Sequence, residues 1–395
     1  KECAKNMLEV IGSPFPSVHG AMNDLMTHVE FASYVAEKEK LLLCPLSCYP
    51  GVFAPSMRKE KLYRIKERIF GPRKFQIAGR CIGFHCHTDL PHGIFDDEVR
   101  ALQLLVGAKV RDAMVNSYNL MIAADPIFST FAQSSPYYQG RYLGKDSRII
   151  MYRGGSDLGN PYGLYAKFEE LGGLPPYKLT VLGLHDLITS RYDAWKSALI
   201  KAGINLKTLS LYGSVLETSW NPIKVNPHGT LEQRGMDMNY LSTIAALGVL
   251  MHSTIRKIQQ QRLIAIPSEI GIENPFKQEK DVIHIPPNEY VRKVLQRFAA
   301  YEGLENTEIY GYCKAFLDFA MKDFPRGQLG LIKPLQKMLS SKKTLSDEIL
   351  AYAHRNGFSR RQPLTQDFAQ ELAIHYSEEF QSDFQRTKDM LRKNS

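Results

Sequence analysis

Two short segments of the sequence carry residue types that bind metals and phosphate. One reads Gly-Phe-His-Cys-His and ends at His87, and the other reads Leu-Glu-Gln-Arg and ends at Arg234. If both are strands, side chains two positions apart share a face, which pairs His85 with His87 and Glu232 with Arg234. Carboxylates and imidazoles ligate metal ions, and a guanidinium binds phosphate or carboxylate oxygens. Each pair is also typical of surface ion pairs or hydrogen-bonded histidines, so neither defines a site alone.

The N-terminal residues of the chain contribute two further carboxylates, Glu2 and Glu9. A separation of seven cannot place both on the same face of a straight strand, so a bend or bulge is needed to bring them together. By themselves, these two glutamates indicate no site.

Hydrophobic periodicity predicts the elements that would position these groups. The predicted helices are 17–40, 57–70, 96–124, 238–258, 288–300 and 306–322, with a helical tail after about residue 344. The predicted strands are 41–45, 75–88 and 229–234. Strands and helices are mixed without βαβ alternation, and no Gly-rich phosphate loop occurs. We therefore expect an α+β fold with an antiparallel sheet covered by helices.

The composition describes a chain with one large core or two moderate ones. Its 395 residues are 44% hydrophobic, and no apolar run approaches the ~18 residues of a membrane span. A net charge of +9 suits nucleic acid or the anionic substrates of an enzyme equally well. The densest basic cluster, residues 57–68, is interleaved with acids and is typical of a solvated helix face. We expect no membrane partner and no nucleic-acid partner.

Six cysteines in a chain of this length do not make a disulfide framework, and we interpret them as reduced thiols of a cytoplasmic protein. Cys44 and Cys48 lie four apart, and Cys81 and Cys86 flank His85. A zinc site built from these residues is an alternative, but their spacings match no paired Cys-x-x-Cys pattern.

Taken in order, these segments resemble the motifs of the carboxylate–amine ligases, the second glutamate–cysteine ligase family. Glu2 and Glu9, followed by Gly-Ser-Pro, resemble that family's Glu-x6-Glu-x-x-Thr-Pro element. Residues 83–87 resemble its Gly-x-His-Val-His strand, and residues 229–237 resemble its Gly-Thr-Val-Glu-Val-Arg-x-x-Asp strand. Further counterparts are residues 47–50, 134–140 and 144–148. The matches follow the family's order and cover roughly residues 2–325.

The resemblance implies a glutamine-synthetase-like catalytic domain over residues 1–340 and a helical C-terminal extension over residues 341–395. In that domain an antiparallel β-sheet forms a funnel covered by helices, with ATP and the amino-acid substrate entering from opposite ends. The implied metal ligands are Glu2, Glu9, His85 and Glu232. The implied catalytic residues are Glu232 and Arg234. The implied nucleotide-binding residues are His87, Arg234 and Lys277. The implied substrate-binding residues are Ser135, Tyr137 and Arg148, with Arg153 in place of Arg148 if the register of the loop is shifted.

The implied activity is ATP-dependent ligation of an amino-acid carboxylate to an amine through an acyl phosphate, such as γ-glutamyl amide formation. Phosphoryl transfer depends on positioning and charge neutralisation. Hard oxygen ligands suit Mg²⁺, and a histidine ligand also tolerates Mn²⁺. The partners are then ATP and small amino-acid or amine substrates, with a homo-oligomer left open. The alternative is a catalytically inactive relative that acts as a binding or scaffold protein.

Three departures from the family pattern bear on this expectation. The family's Gly-x-Glu-x-Glu strand has no counterpart, and because the chain starts abruptly at Lys1 we expect this metal-binding strand to be missing. The Asn-Arg-Trp-x-Ala-x-Arg stretch is replaced by a segment in which Lys277 or Lys280 is the candidate for the lost positive charge. Lys224 stands near an expected arginine, and lysine is not an equivalent clamp for a carboxylate. We therefore expect a substrate pair that differs from glutamate and cysteine.

Overall fold

The computed structural model describes residues 2–324 and 326–393, so Lys1 and the last two positions of the expected C-terminal extension lie outside it. The helices are α1 (Val18–Lys38), α2 (Lys61–Phe70), α3 (Pro72–Phe75), α4 (Ala108–Ala132), α5 (Ser147–Tyr152), α6 (Glu169–Gly172), α7 (Val181–Lys201), α8 (Leu241–Gln261), α9 (Ile270–Glu273), α10 (Asn288–Tyr290), α11 (Gln296–Tyr301), α12 (Thr307–Met321), α13 (Lys333–Ser341), α14 (Leu345–Arg355) and α15 (Gln366–Lys393). The strands are β1 (Gly83–Asp89), β2 (Phe95–Asp96), β3 (Ala101–Leu102), β4 (Tyr137–Tyr138), β5 (Arg141–Tyr142), β6 (Ile223–Asn226), β7 (Thr230–Asp237), β8 (Ile264–Pro267), β9 (Gln278–Glu279) and β10 (Val282–Ile285).

The candidate residues lie on an antiparallel sheet of three strands in the order β1–β7–β6. The central strand is β7, and both His87 of β1 and Lys224 of β6 lie opposite Glu232. Residues that face each other across an antiparallel pair share a face of the sheet. The sheet therefore gathers an imidazole, a carboxylate and an ammonium on one face.

A bulge interrupts the pairing of β1 with β7. Phe84 lies opposite Met236, but Cys86 lies opposite Gln233, so β7 holds one more residue than β1 in this interval. Such an extra residue bends a strand and re-aims the neighbouring side chains. The bulge falls at Arg234 and the residue that follows it.

The remaining strands form smaller sheets. In the order β8–β10–β9, β8 pairs with β10 in parallel and β9 pairs with it antiparallel, and two ribbons join β2 with β3 and β4 with β5. The predicted α+β class, with antiparallel strands and helices, is confirmed. Within the described residues the largest antiparallel sheet has three strands.

Helices α4 and α8 pack against the sheet. From Met114 to Ala132 every residue of α4 is buried, which is typical of a helix enclosed on all sides. α8 follows β7 directly and buries most of its length in the same core. The strand that carries Glu232 therefore rests on the most deeply buried part of the molecule.

The C-terminal extension is helical, as predicted, and it shares the main core. Phe380 and Phe384 of α15 belong to the same hydrophobic cluster as α4 and α8. The Asp383 carboxylate accepts hydrogen bonds from the Ser242 N–H at 3.0 Å and from its hydroxyl at 2.6 Å, at the start of α8. The boundary between residues 340 and 341 stays a prediction. None of the helices in residues 2–324 and 326–393 has the length and apolar character that crossing a membrane requires.

Several sequence predictions are confirmed by these elements, among them α1, β7, α8, α12 and the helical tail. The strand predicted at residues 41–45 is wrong, because Leu41 and Leu42 are exposed and form no ladder. The helix predicted from residue 96 is wrong in its first third. There the Asp96 carboxylate accepts hydrogen bonds from the N–H groups of Glu98 and Val99, which closes a turn between β2 and β3.

Candidate functional site

Glu232 is the centre of the candidate site. Its side chain is 4% exposed, and its Oε1 lies 3.5 Å from His85 Nδ1, 3.9 Å from His87 Nε2 and 3.8 Å from Arg234 Nε. Its Oε2 accepts a hydrogen bond of 2.9 Å from the Asn226 amide. β1, β6 and β7 therefore bring together all four polar groups that the two strand motifs predicted, and Asn226 is an addition.

The protonation states of this cluster follow from burial and charge. Burial and the positive charge of Arg234 lower the pKa of His85 to about 3, so the imidazole is neutral near pH 7. Burial also lowers the pKa of His87. For Glu232, burial raises the pKa, but the charges of Arg234 and Lys224 outweigh it and lower the pKa to about 2. The site thus holds an ionised carboxylate beside two neutral imidazoles, whose nitrogen lone pairs are available for a proton or a metal.

Two arginines meet at this cluster. Arg148 is 7% exposed, and its Nη2 donates a hydrogen bond of 3.1 Å to the carbonyl oxygen of Arg234. A Cβ at Gly83 would overlap the Arg148 guanidinium, so the glycine at the start of β1 makes room for it. Arg148 Nε has no hydrogen-bond partner among the described residues. The arrangement presents two adjacent positive charges with unused donors.

Glu2 and Glu9 interact electrostatically with Arg234. Burial and the neighbouring Glu2 charge raise the pKa of Glu9, and a hydrogen bond between the two carboxyl groups raises it further. Arg234 acts on Glu9 in the opposite direction, and Glu2 stabilises the charge of Arg234. The chain therefore bends between Glu2 and Glu9, as their separation of seven required. Arg234 is a neighbour both of this acidic pair and of Glu232.

Two lysines belong to this region: Lys224, which the motif comparison placed near an expected arginine, and Lys66, to which no motif pointed. Lys66 Nζ lies 4.2 Å from the centre of the Trp220 ring, and burial together with Arg234 lowers its pKa to about 8. Lys224 Nζ donates to the carbonyl oxygens of Leu216, at 2.5 Å, and Ser219, at 3.1 Å. The signal for Lys224 was its alternation with Ile223 and Val225 in a strand. Lys66 was hidden in a basic cluster interpreted as a solvated helix face.

Two residues predicted to bind substrate have other partners. The Arg153 guanidinium donates to Asp125 at 2.5 and 3.0 Å and to the Gln296 side-chain oxygen at 2.6 Å, all within the core. The Ser135 hydroxyl donates to Asp237 Oδ2 at 2.6 Å. Of the two arginines that the loop register left open, Arg148 is the one beside the cluster.

Tyr137 and Lys277 lie in other parts of the structure. Tyr137 is buried in a hydrophobic cluster with residues of α14 and α15, and it reaches a cavity beside α14. Lys277 forms an ion pair of 2.6 Å with Glu279 and lines a separate cavity of about 550 Å³ beside α12. The structure does not bring these two residues together with Glu232.

The donor set can be tested against the divalent ion that the motifs imply. Within the described ranges, no three His, Cys, Asp or Glu side chains are arranged as a ready metal site. The chemistry of the donors nevertheless fits Mg²⁺, since a pair of carboxyl groups that share a hydrogen bond can release its proton to water and bind a hard cation in its place. The neutral His85 and the ionised Glu232 supply a second group of donors.

Neither a comparison of the chain with models of known protein families nor one with curated protein sequences yields a match. The family resemblance therefore rests on the sequence motifs alone and stays a prediction.

Proposed function

We propose that this chain is an ATP- and Mg²⁺-dependent ligase that joins an amino-acid carboxylate to an amine. The observation that carries the proposal is the position of Arg234. Its Nε lies 3.8 Å from Glu232, it interacts electrostatically with Glu2 and Glu9, and its guanidinium makes no hydrogen bond to a described residue. A partly buried cation with several unused donors among carboxylates suits a phosphate group that carries its own metal ion.

The reaction gives each group a task. A substrate carboxylate oxygen attacks the γ-phosphorus of ATP, which forms an acyl phosphate and releases ADP. The amine nitrogen then attacks the acyl carbon, so that an amide bond forms and phosphate and a proton leave. Arg234 neutralises charge on the transferred phosphoryl group. Glu2 and Glu9, together with His85 and Glu232, would hold Mg²⁺, which would supply further neutralisation of negative charge.

The substrate side of the site is formed by the remaining cations. Arg148 has an unpaired Nε and lies against Gly83, where it can hold a substrate carboxylate. Lys66 adds a second cation beside Arg234, over the Trp220 ring. Arg153 is already paired with Asp125. We therefore assign Arg148 and Lys66 as the donors that bind the acid substrate.

The glutamine-synthetase-like architecture is part of the same proposal. An antiparallel sheet that carries His87, Glu232 and Lys224 on one face and packs against the core of α4 and α8 supports it, because such a sheet can form one wall of a funnel. The α+β class alone does not require this particular arrangement.

The test is amine-dependent release of ADP by the full chain, with ATP, Mg²⁺ and a panel of amino-acid pairs. We expect ADP release from at least one pair, and we expect Glu232→Gln to remove it. Glu378→Gln, the same chemical change at an exposed position of α15, serves as the matched control and should retain full activity. Absence of ADP release with every pair would contradict the proposal.

A binding protein without turnover is the second candidate. It is favoured by the lack, among residues 2–324 and 326–393, of three ligands already arranged for a metal. This candidate predicts binding of nucleotide or of an amino acid that Arg234→Gln weakens, without ADP release. Calorimetric titration with ATP in the presence of Mg²⁺ separates the two candidates.

A further inference from the structure

A cavity of about 400 Å³ lies between the C-terminal extension and the rest of the chain. It follows one face of α14, where Asp347, Leu350, Ala351 and His354 succeed one another at helical spacing. Its volume is in the range of pockets that hold small metabolites. Tyr137, one of the residues that the sequence motifs assigned to substrate binding, lines it.

The two acids of this cavity are already neutralised. Lys145 is fully buried, and its ammonium lies 2.8 Å from Glu305 and also contacts the Asp347 carboxylate. Arg360 reaches Glu305 from the other side, with its Nη2 at 3.0 Å. Two cations thus balance two carboxylates, and neither acid is left to repel an anion.

The remaining charged groups of the cavity are basic. Lys342 and Lys343 are exposed, and neither forms an ion pair within the described part of the chain. The Lys342 ammonium lies 4.6 Å from the centre of the Tyr310 ring. With His354 on the same rim, the cavity presents surplus positive charge at its mouth.

The wall of the cavity includes apolar surface. Leu350, Ala351 and Phe358 line it, and Phe358 is held in place by its ring stack on Phe368, with ring centres 4.4 Å apart. Pockets that combine apolar walls with a few placed charges bind small molecules that have both kinds of surface. Here the charges select for negative groups.

We propose that this cavity binds a small anionic metabolite bearing carboxylate or phosphate groups, at a site separate from the Glu232 cluster. The surplus cations at Lys342 and Lys343 attract its charged groups, and the wall of Leu350 and Phe358 takes its carbon skeleton. None of the lining residues takes part in the Glu232 cluster. The inference stands whether or not the chain has ligase activity.

The experiment is calorimetric titration of the full chain, at constant ionic strength, with citrate in one arm and inorganic phosphate in the other. We expect saturable binding of at least one probe, weakened tenfold or more by Lys342→Ala with Lys343→Ala. The matched control is Lys333→Ala with Lys337→Ala, which removes the same charge from exposed positions of α13 outside the cavity. That control should bind as the unaltered chain does, and Arg234→Gln should keep the binding that Lys342→Ala with Lys343→Ala weakens. The arm that binds identifies the carboxylate or the phosphate class.

Three outcomes would overturn the inference. The first is no saturable binding of either probe to the unaltered chain. The second is equal weakening by the two lysine pairs, which would show that binding follows net charge alone. The third is loss of binding in Arg234→Gln, which would place the ligand in the Glu232 cluster. Circular dichroism of each variant, compared before titration, identifies any variant whose fold has changed.

Discussion

Two buried arginine–carboxylate pairs lie against β7, and their construction differs. Arg153 is fully engaged, with hydrogen bonds to Asp125 at 2.5 and 3.0 Å and to Gln296 at 2.6 Å. Arg234, by contrast, lies 3.8 Å from Glu232, and its side chain donates no hydrogen bond to any residue in the described part of the chain.

The difference separates a pair that stabilises the fold from a pair that can act on a ligand. A buried ion pair whose donors and acceptors are satisfied has no capacity left for a substrate, and breaking it leaves a charge without compensation. Donors that are positioned but unused are what a site for phosphate or carboxylate requires. We therefore assign stability to the Asp125–Arg153 pair and function to the Glu232–Arg234 pair.

The largest expected effect is on stability, at the satisfied pair. Asp125→Asn should lower the free energy of unfolding by about 3–5 kcal/mol, because Arg153 then remains buried without its counter-charge. Urea denaturation measures this loss. Asp193→Asn, in an exposed pair with Lys196, is the matched control, with an expected change below about 1 kcal/mol. Equal effects of the two variants would remove the basis of the comparison.

A second substitution, Gly83→Ala, tests whether Arg148 holds the acid substrate near Glu232. Gly83→Ala places a methyl group where the Arg148 guanidinium lies, and the end of this flexible side chain can move at little cost in stability. We expect the KM for the acid substrate to rise about tenfold, a loss of about 1.4 kcal/mol in binding. Gly248→Ala in α8, where the added Cβ meets only Val18 at 3.5 Å, is the control. An unchanged KM would show that Arg148 does not hold the substrate.

A third prediction concerns pH. His85 is neutral in the folded chain because burial and Arg234 lower its pKa from 6.5 to about 3. The unfolded chain therefore binds a proton that the folded chain does not bind, and stability is complete above pH 6.5 and falls as the pH drops towards 3. His85→Asn should reduce this slope by up to about 1.4 kcal/mol per pH unit.

Unfolding midpoints measured in urea between pH 7 and pH 4 show the slope. His185→Asn, on the exposed surface of α7, is the matched control. A slope that is identical in His85→Asn and in the unaltered chain would mean that folding does not lower the pKa of His85.

The sequence predicted which side chains of β1 and β7 share a face in the candidate site, but it did not predict the bulge between these strands. Period-two alternation is a local property, so β1 and β7 and the shared faces of His85 with His87 and Glu232 with Arg234 could be inferred from spacing. The bulge at Arg234 could not, because it depends on how two distant strands pair.

Long-range partners explain the other differences. Arg148 lies in α5 and Arg153 directly follows this helix, and only the contact of Arg153 with Asp125 of α4 separates their roles. Lys66 was interpreted as part of a solvated face because its burial depends on Trp220, more than 150 positions away. Local patterns carry no information about such contacts.

The most direct test of the account measures activity and stability together in Arg234→Gln. We expect the rate of amine-dependent ADP release to fall by about 10²–10³, equivalent to the 3–4 kcal/mol that one charge-stabilising donor contributes to a transition state. The free energy of unfolding should fall by less than it does in Asp125→Asn. Retained ADP release, or a loss of stability as large as that of Asp125→Asn, would contradict the functional role that we assign to Arg234.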